Sequence, residues 1–564
     1  MFKINTIKIR SDFFWIFVLS FIVLIPNVYL FFVGSDLSGT LFKRLAYLSF
    51  STFLFLIPSL FLKARTFFLY QGIFVLLAPF EIAHIYLNKM PISFGFLLAI
   101  LDTNKSEAFE LLSSIKVFVI FVLVIWVIYF FIAIKKIKNE YFLKSIKKRL
   151  IVLLFMGLSA FCGLSYFYYL GKKISTNENN FSYTIEKFTV KFYKIYPFDI
   201  IYKMQQVYFS RKEIKSKREE LANFSFHAVK QNSVNQREIY VFIIGETARY
   251  DNFSVNGYFL PTSPMLEKVE NLISYSNFFS EANVTLFSLP IILTRATPLD
   301  HDRANYEKSF VDAFKEVGFK TYWIANQSAS NNFIRRISKD TDDEFFIVTD
   351  FDARDNFDEK LWTYFDEILS KNEDKVLIVL HTLGSHFRYN FRYPSQYDVF
   401  QPSFKGAFDY SLISIENKEH FINTYNNSIL YTDYFLSNTI NKLDSLNAVS
   451  TLIYTSDHGE NLFDTEENIV LHGGTVPTKY DFHVPLFIWT SEKYRSLNES
   501  KVQNMYLNKD KKLSISSIFY SILDVADISF PEQNLKKSFA SEELEEDSVR
   551  YYYNINRDAK KIPE

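Results

Sequence analysis

The sequence predicts a membrane protein in two parts, an N-terminal transmembrane domain of five helices and a C-terminal α/β/α domain with a mostly parallel sheet. Five apolar runs of spanning length occupy the first 170 residues, and short strands alternate with helical stretches after residue 238. The two parts also differ in the sign of their net charge. Residues 1–170 carry 17 Lys+Arg and 7 Asp+Glu, a net of +10, whereas the remaining residues carry 45 and 55, a net of −10.

Composition excludes several classes of protein. The 564 residues are 49% hydrophobic and 18% aromatic, which excludes a disordered chain. The single cysteine, Cys162, excludes an intramolecular disulfide and a cysteine zinc cage. Because the whole chain has a net charge of zero, no nucleic-acid partner is expected.

Each apolar run is close to the ~20 residues that cross the ~30 Å hydrocarbon core of a bilayer. Basic residues precede the first run and fill the second and fourth connections, so these segments are expected to be cytoplasmic. Five spans then place everything after about residue 171 on the outer side. The predicted spans are 13–33, 45–62, 66–86, 117–134 and 150–170.

The outer loop between the third and fourth predicted spans contains an apolar stretch and polar residues of its own. Its apolar stretch 92–101 is too short to span and favours a helix in the membrane interface, followed by Thr103 and Glu107 at the headgroup level. A solvated loop is the simpler alternative. The predicted domains are a transmembrane domain (1–170), an interfacial connector and linker (171–237), an outer catalytic domain (238–545) and a charged tail (546–564).

Polar clusters directly follow the predicted strands of the outer domain, and ligand sites in such sheets gather at the carboxyl ends of strands. Glu246 follows the first strand, the Asp457-His458 pair lies at the end of the last, and another strand ends at His381 with His386 shortly after it. Glu, Asp and His are zinc ligands. A structural histidine is the more frequent explanation of one such cluster, but three strand ends in one domain favour a metal. The predicted strands are 239–245, 320–326, 375–381 and 451–459.

The segment 280–290 offers hydroxyl nucleophiles in the pattern Thr285-x-x-Ser-x-Pro290. Together with Gly-Glu-Thr-Ala-Arg at 245–249, Ser-Asp-His-Gly-Glu at 456–460 and Leu-His-Gly at 471–473, this pattern resembles the alkaline phosphatase/sulfatase superfamily. Within it, the chain resembles the membrane phosphoethanolamine transferases over nearly its whole length. The resemblance implies a sulfatase-like fold for the outer domain.

The resemblance implies that Thr285 is both the nucleophile and a zinc ligand. Glu246, Asp457 and His458 would complete a tetrahedral set for one tightly bound zinc ion, and a second ion stays open. This agrees with the chemistry, because metal coordination lowers the pKa of a hydroxyl and so activates it.

The resemblance also implies roles for other polar residues. His386 and His472 would contact the phosphoryl group, transfer protons or bind a second zinc. The predicted substrate contacts are Thr103 and Glu107 for the donor headgroup, and Asn326, Gln327 and His381 within the outer domain.

The implied reaction transfers phosphoethanolamine from phosphatidylethanolamine to an extracytoplasmic glycan or lipid acceptor, in the bacterial inner membrane with a periplasmic catalytic domain. The acceptor, for example lipid A, the lipopolysaccharide core or another glycan, stays open. Many lipid A-modifying members carry cysteines that flank the nucleophile, but Glu281 and Ile291 occupy those places here.

Three other functions are weighed against this one. A formylglycine sulfatase needs an arginine where Ile292 stands. Glycerol-phosphate transfer of the lipoteichoic-acid-synthase type shares the five-span plan and a threonine nucleophile. A catalytically inactive, membrane-anchored binding module would show loss of the metal ligands, whereas every expected ligand is present.

Overall fold

The computed structural model forms two compact units, residues 1–97 with 115–210, and residues 98–114 with 211–564. The residues it describes are 12–33, 41–88, 91–92, 97, 101, 116–156, 158, 195–232, 235–327, 332–347, 356–406, 413–474, 476–554 and 557–563.

In the described part of the first unit, three helices are long and apolar enough to cross a membrane: Phe13–Val33, Ala64–Tyr86 and Lys116–Lys136. They correspond to the first, third and fourth predicted spans. The second predicted span contains the shorter apolar helix Ser51–Leu60, and the fifth extends beyond the described residues. The described helices of this unit include α1 (Phe13–Val33), α2 (Leu41–Leu56), α3 (Ala64–Asn88), α4 (Lys116–Lys136) and α5 (Phe198–Ser216), the last of which continues into the second unit.

A close crossing joins α3 to α4. A Cβ atom on Gly72 would lie only 2.3 Å from the Phe130 ring, so the absence of a side chain lets the two helices approach. Trp126 donates its indole N–H to the Gly72 carbonyl at 2.8 Å, and the Tyr129 hydroxyl donates to the Phe68 carbonyl at 3.0 Å. These polar atoms are thus satisfied inside the bundle, as an apolar environment requires.

The described strands of the second unit are β1 (Val229–Lys230), β2 (Glu238–Gly245), β3 (Leu272–Ser274), β4 (Phe278–Phe279), β5 (Lys320–Ala325), β6 (Asp343–Phe346), β7 (Lys375–His381), β8 (Val449–Ser456), β9 (Leu486–Thr490), β10 (Leu513–Ser514), β11 (Ile528–Ser529), β12 (Tyr551–Tyr553) and β13 (Ala559–Lys561). Seven of them form one sheet in the order β3-β9-β8-β2-β7-β5-β6, and the other six form three two-stranded pairs. The four pairings from β8 to β6 are parallel, whereas β9 runs antiparallel to both β8 and β3. The sheet is therefore mixed.

Helices cover both faces of this sheet. The central strand β2 is buried along its whole length, as expected for a parallel strand between two helical layers. Phe242 packs into the core on one face, and its neighbours Val241 and Ile243 pack into the core on the other. The helices are α6 (Arg218–Asn223), α7 (Thr285–Leu293), α8 (Phe310–Glu316), α9 (Asn332–Asp340), α10 (Leu361–Ser370), α11 (Lys418–Asp444), α12 (Glu492–Leu497), α13 (Glu499–Asn508) and α14 (Ser517–Val525).

The register of the central strands fixes the position of the site. Ile244 of β2 pairs with His381 of β7 on one side and with Thr455 of β8 on the other. The three strands consequently end at the same level, and the residues that follow Gly245 and Ser456 emerge side by side.

Candidate metal centre

Three buried side chains meet where β2 and β8 end. Ligand atoms of Glu246, Asp457 and His458 all lie within 4.8 Å of one another. Each of these residues is at most 1% exposed. The structure thus brings together the three strand-end residues that the sequence predicts as metal ligands.

The backbone holds the Asp457 carboxylate in place through one of its oxygens. Oδ1 accepts hydrogen bonds from the Thr247 and His458 N–H groups at 3.1 and 2.8 Å. Oδ2 is buried, lies 3.3 Å from His458 Nε2, and accepts no hydrogen bond from the described residues. A buried carboxylate oxygen in this state is well suited to bind a cation.

Thr285 brings a hydroxyl to the same point. It is the first residue of α7, which begins directly after the extended residue Val284. Its Oγ1 lies 3.2 and 3.3 Å from the two carboxylate oxygens of Glu246 and 3.3 Å from His458 Nε2. The positive end of the α7 dipole therefore lies beside this hydroxyl and favours an anion there.

The charges of the three strand-end residues are strongly coupled to one another. Burial raises the pKa of Asp457 to about 6, and the charge of Glu246 adds to this effect. Burial also acts to raise the pKa of Glu246, but the hydrogen bond and charge of His458 hold it well below its usual range. Burial acts to lower the pKa of His458, yet the two neighbouring carboxylates raise it to about 10. The carboxylates thus require a positive charge between them, from a proton or a divalent cation.

A carboxylate that the sequence analysis left without a role orients His472. Glu460 Oε1 lies 3.1 Å from His472 Nδ1, and its Oε2 accepts a hydrogen bond from the Tyr389 hydroxyl at 2.6 Å. The His472 ring in turn lies 4.0 Å from the His458 ring, centroid to centroid. The Glu460 position, two residues after a metal-ligand histidine in the same motif, is a signal that could have identified it.

The loop after β7 packs tightly on Glu246. Gly384 has a φ of +50°, and a Cβ atom there would lie 2.8 Å from the Glu246 carbonyl oxygen, so only glycine fits without a shift. The Ser385 N–H donates to the same carbonyl at 2.9 Å. His386 follows on this loop, where burial lowers its pKa to about 4 and keeps the ring neutral at pH 7.

Three of the predicted substrate contacts lie deep in the outer domain. Gln327 donates from Nε2 to Glu246 Oε2 at 2.8 Å, and thus orients a candidate metal ligand. Asn326 donates to Asp358 at 2.8 Å. His381 is fully buried, and neither of its ring nitrogens has a hydrogen-bond partner among the described residues. Thr103 and Glu107 lie outside the described residues.

A model of the sulfatase family matches residues 238–528, which is more than half of the chain. This chain belongs to the sulfatase family. The matched region contains every metal-centre residue described above, and it begins at the first residue of β2.

Within the sulfatase family, the chain is similar in sequence to phosphoethanolamine transferases. Phosphoethanolamine transferase EptC of Escherichia coli (strain K12) is 28% identical over 336 residues, which cover 58% of this chain and 56% of that protein. The chain thus spans about half the length of the curated relatives it matches. The predicted resemblance to the phosphoethanolamine transferases is confirmed.

Two solved structures show a similar fold. The periplasmic domain of E. coli EptC, solved as a complex with Zn, has a TM-score of 0.54 at 25% identity and covers 60% of this chain and 96% of that one. The integral membrane protein EptA of Neisseria meningitidis, a lipooligosaccharide phosphoethanolamine transferase, has a TM-score of 0.72 at 21% identity, covering 93% of this chain and 97% of its own. The second similarity extends over both units, and the described residues of the first unit include three helices that are long and apolar enough to cross a membrane.

Proposed function

We propose that this sulfatase-family protein is a zinc-dependent phosphoethanolamine transferase that uses phosphatidylethanolamine as donor. One observation carries the proposal. A threonine hydroxyl at a helix N-terminus lies within 3.3 Å of both the Glu246 carboxylate and His458. This arrangement supports the proposal, because a nucleophilic threonine needs activating ligands and an anion-binding helix end close to its hydroxyl.

The donor set fits zinc. Glu246, Asp457 and His458 provide oxygen and nitrogen ligands, and the Thr285 hydroxyl provides a fourth position, as a tetrahedral site requires. The buried Asp457 Oδ2, which accepts no hydrogen bond from the described residues, supports this assignment. When bound, zinc would lower the pKa of the threonine hydroxyl and stabilise negative phosphoryl oxygens. We assign one zinc ion to this set. His386 and His472 are further candidate ligands, so the number of zinc ions stays open between one and two.

The chemistry on Thr285 proceeds in two displacements. Its Oγ1 forms a bond to the donor phosphorus, and the bond from phosphorus to the diacylglycerol oxygen breaks. The Thr285 hydroxyl gives up its proton, the departing diacylglycerol oxygen takes up a proton, and phosphoethanolamine stays on Thr285. An acceptor hydroxyl then loses its proton and bonds to phosphorus, while the bond from phosphorus to Oγ1 breaks and Oγ1 takes up a proton. His472, held by Glu460, is the candidate for proton transfer, and neutral His386 for contact with the phosphoryl oxygens.

The membrane arrangement belongs to the same proposal. We assign five spans within 1–170, a cytoplasmic N-terminus, a connector at 171–237 and a periplasmic catalytic domain from 238, in a bacterial inner membrane. The three apolar helices support the assignment. Thr103 and Glu107 would contact the donor headgroup. The proposed substrate contacts of the outer domain are Asn326, Gln327 and His381. Gln327 would act on the substrate indirectly, by orienting Glu246.

The acceptor is proposed only as an extracytoplasmic glycan or lipid, such as lipid A or the lipopolysaccharide core. The relatives reported above are phosphoethanolamine transferases, so glycerol-phosphate transfer is not favoured. The assembled ligand set disfavours an inactive binding module.

The test is mass spectrometry of the full-length protein in nanodiscs that contain phosphatidylethanolamine. Trapping before acceptor is added should show phosphoethanolamine on Thr285 together with released diacylglycerol. Nanodiscs of phosphatidylglycerol serve as the control, and a glycerol-phosphate adduct there would favour the alternative. A zinc-loaded protein that releases no diacylglycerol from either lipid would contradict the proposal.

A further inference from the structure

The last two strands form a hairpin that contacts the nucleophile segment. β12 and β13 pair antiparallel, with Tyr551 opposite Lys561 and Tyr553 opposite Ala559. The Tyr553 N–H donates to the Glu281 carbonyl at 2.7 Å. Glu281 lies four residues before Thr285, so the hairpin is joined to the chain just ahead of the nucleophile.

The same tyrosine reaches the other side of the nucleophile through a histidine. The Tyr553 ring stacks on His301, with the centroids 4.1 Å apart and the planes at 3°. His301 donates from Nε2 to the carbonyl of Phe287 in the first turn of α7, at 3.0 Å. The Phe287 ring stands edge-on to Tyr553, with centroids 5.3 Å apart. Tyr553 thus contacts the segment both before and after Thr285.

A third contact links the hairpin to the metal centre. The Tyr552 ring packs on Phe482 at 4.8 Å between centroids. The Phe482 carbonyl accepts the Ser280 N–H at 2.7 Å, and the Ser280 hydroxyl donates to the Asp457 carbonyl at 2.6 Å. Both tyrosine rings are buried, at 5% and 7% exposure.

We propose that this hairpin is a non-covalent clamp that positions Thr285, with Tyr553 as its central positioning residue. The inference rests on the proposed function, because it concerns how that nucleophile is held. α7 has only nine residues, and helices this short are marginal without tertiary contacts. A nucleophile must be held to within about 0.5 Å of its productive position. Since residues 171–564 contain no cysteine, no disulfide can supply this restraint.

The test compares three substitutions in the full-length protein in nanodiscs. Tyr553→Ala removes the stacked ring, and Tyr553→Phe keeps it. Tyr551→Ala is the matched control, because Tyr551 is a half-buried tyrosine of the same strand, two residues away. Hydrogen exchange of the α7 amides and zinc content are measured together with kcat and KM for diacylglycerol release.

In Tyr553→Ala, exchange of the α7 amides should rise by about tenfold, the size expected for losing one aromatic stack. Misplacement of the nucleophile should lower kcat by about 10- to 100-fold while KM for the donor stays within about twofold. Tyr553→Phe and Tyr551→Ala should resemble wild type in both measurements.

Two results would overturn the clamp: unchanged α7 exchange in Tyr553→Ala, or equal increases in α7 and in the central strands, which indicate general destabilisation. A matching loss in Tyr551→Ala would also overturn it. Because amide exchange needs no turnover, it tests the clamp even if the wild-type protein transfers nothing, an outcome that would contradict the proposed function instead.

Discussion

The Thr285 hydroxyl oxygen lies 3.3 Å from Nε2 of His458, although 173 residues separate them in the chain. A serine at position 285 would retain the hydroxyl and lose only a methyl group. We expect Thr285→Ser to keep transfer within about tenfold of wild type, and Thr285→Ala to abolish the covalent adduct, because no nucleophile remains. Intact-protein mass spectrometry measures the adduct directly. An adduct that persists in Thr285→Ala would place the nucleophile elsewhere.

Asp457→Asn tests the metal centre with little change of shape. The amide removes a negative charge from three mutually close ligands, so zinc retention should fall and transfer should drop by more than about 100-fold. Elemental analysis of the purified protein and diacylglycerol release report the two effects. Asp510→Asn is the control, since this exposed carboxylate bonds only to Ser276 among the described residues. Full zinc content in Asp457→Asn would argue against the assigned ligand set.

Tyr389→Phe should weaken catalysis without loss of zinc. The buried Glu460 carboxylate would lose its 2.6 Å hydrogen bond and hold His472 less firmly. We expect kcat to fall by about 10-fold, the low end for partners that orient site residues, with unchanged zinc content. Glu460→Gln should lower kcat further than Tyr389→Phe does, because it also removes the negative charge beside His472. The idea fails if Glu460→Gln is as active as wild type.

Stability of the outer domain should decrease as pH rises from about 4.5 to about 7 because of Glu281. Burial raises the pKa of this carboxyl to about 7 from a usual value of 4.5. The folded state therefore binds the proton more tightly than the unfolded state, and the stability it contributes is complete below pH 4.5 and lost as pH rises through 7. The shift corresponds to at most about 3 kcal/mol.

Thermal unfolding of Glu281→Gln at pH 6 and pH 8 measures this effect. The amide can still accept the Ser516 N–H, which lies 2.8 Å from Glu281 Oε2. The difference in Tm between the two pH values should shrink relative to wild type, but persist in part, because burial also raises the pKa of Asp433 to about 7. The exposed Glu492→Gln should leave the difference unchanged, and an equal effect there would rule out the role of Glu281.

The proposed topology is open to cysteine labelling in a Cys162→Ser background. Asn498→Cys should react with an impermeant maleimide in intact spheroplasts, because the outer domain is assigned to the periplasm. Lys138→Cys should react only after the membrane is permeabilised. The reverse pattern would invert the proposed orientation.

The sequence predicted the core of the site because the evidence for it is local. Glu246, Asp457 and His458 directly follow strands that read as buried apolar runs, and Thr285 lies in a motif of fixed spacing. The hydrogen bond from Gln327 to Glu246 was not predicted. It joins residues 81 positions apart, and nothing in the segment around Gln327 indicates that partner. Tyr389 was missed for the same reason.

The fold was likewise predicted in some parts and not in others. The four strands predicted from apolar runs are present, and the parallel pairings among β8, β2, β7 and β5 follow from their alternation with helices. The direction of β9 was not predicted, because an apolar run such as 486–490 has the same composition whichever way it pairs. The hairpin at 551–561 lies in a segment that was predicted as a charged tail.

The stacking of Tyr553 on His301 also bears on how this protein matures. A ring stack forms as soon as the two surfaces meet, whereas a disulfide needs an oxidant and an isomerase to form and correct it. The clamp proposed for Thr285 therefore forms independently of thiol oxidation. Secretion into an oxidising compartment is not a requirement for folding, and the domain should reach its native state equally well in a reducing cytosol.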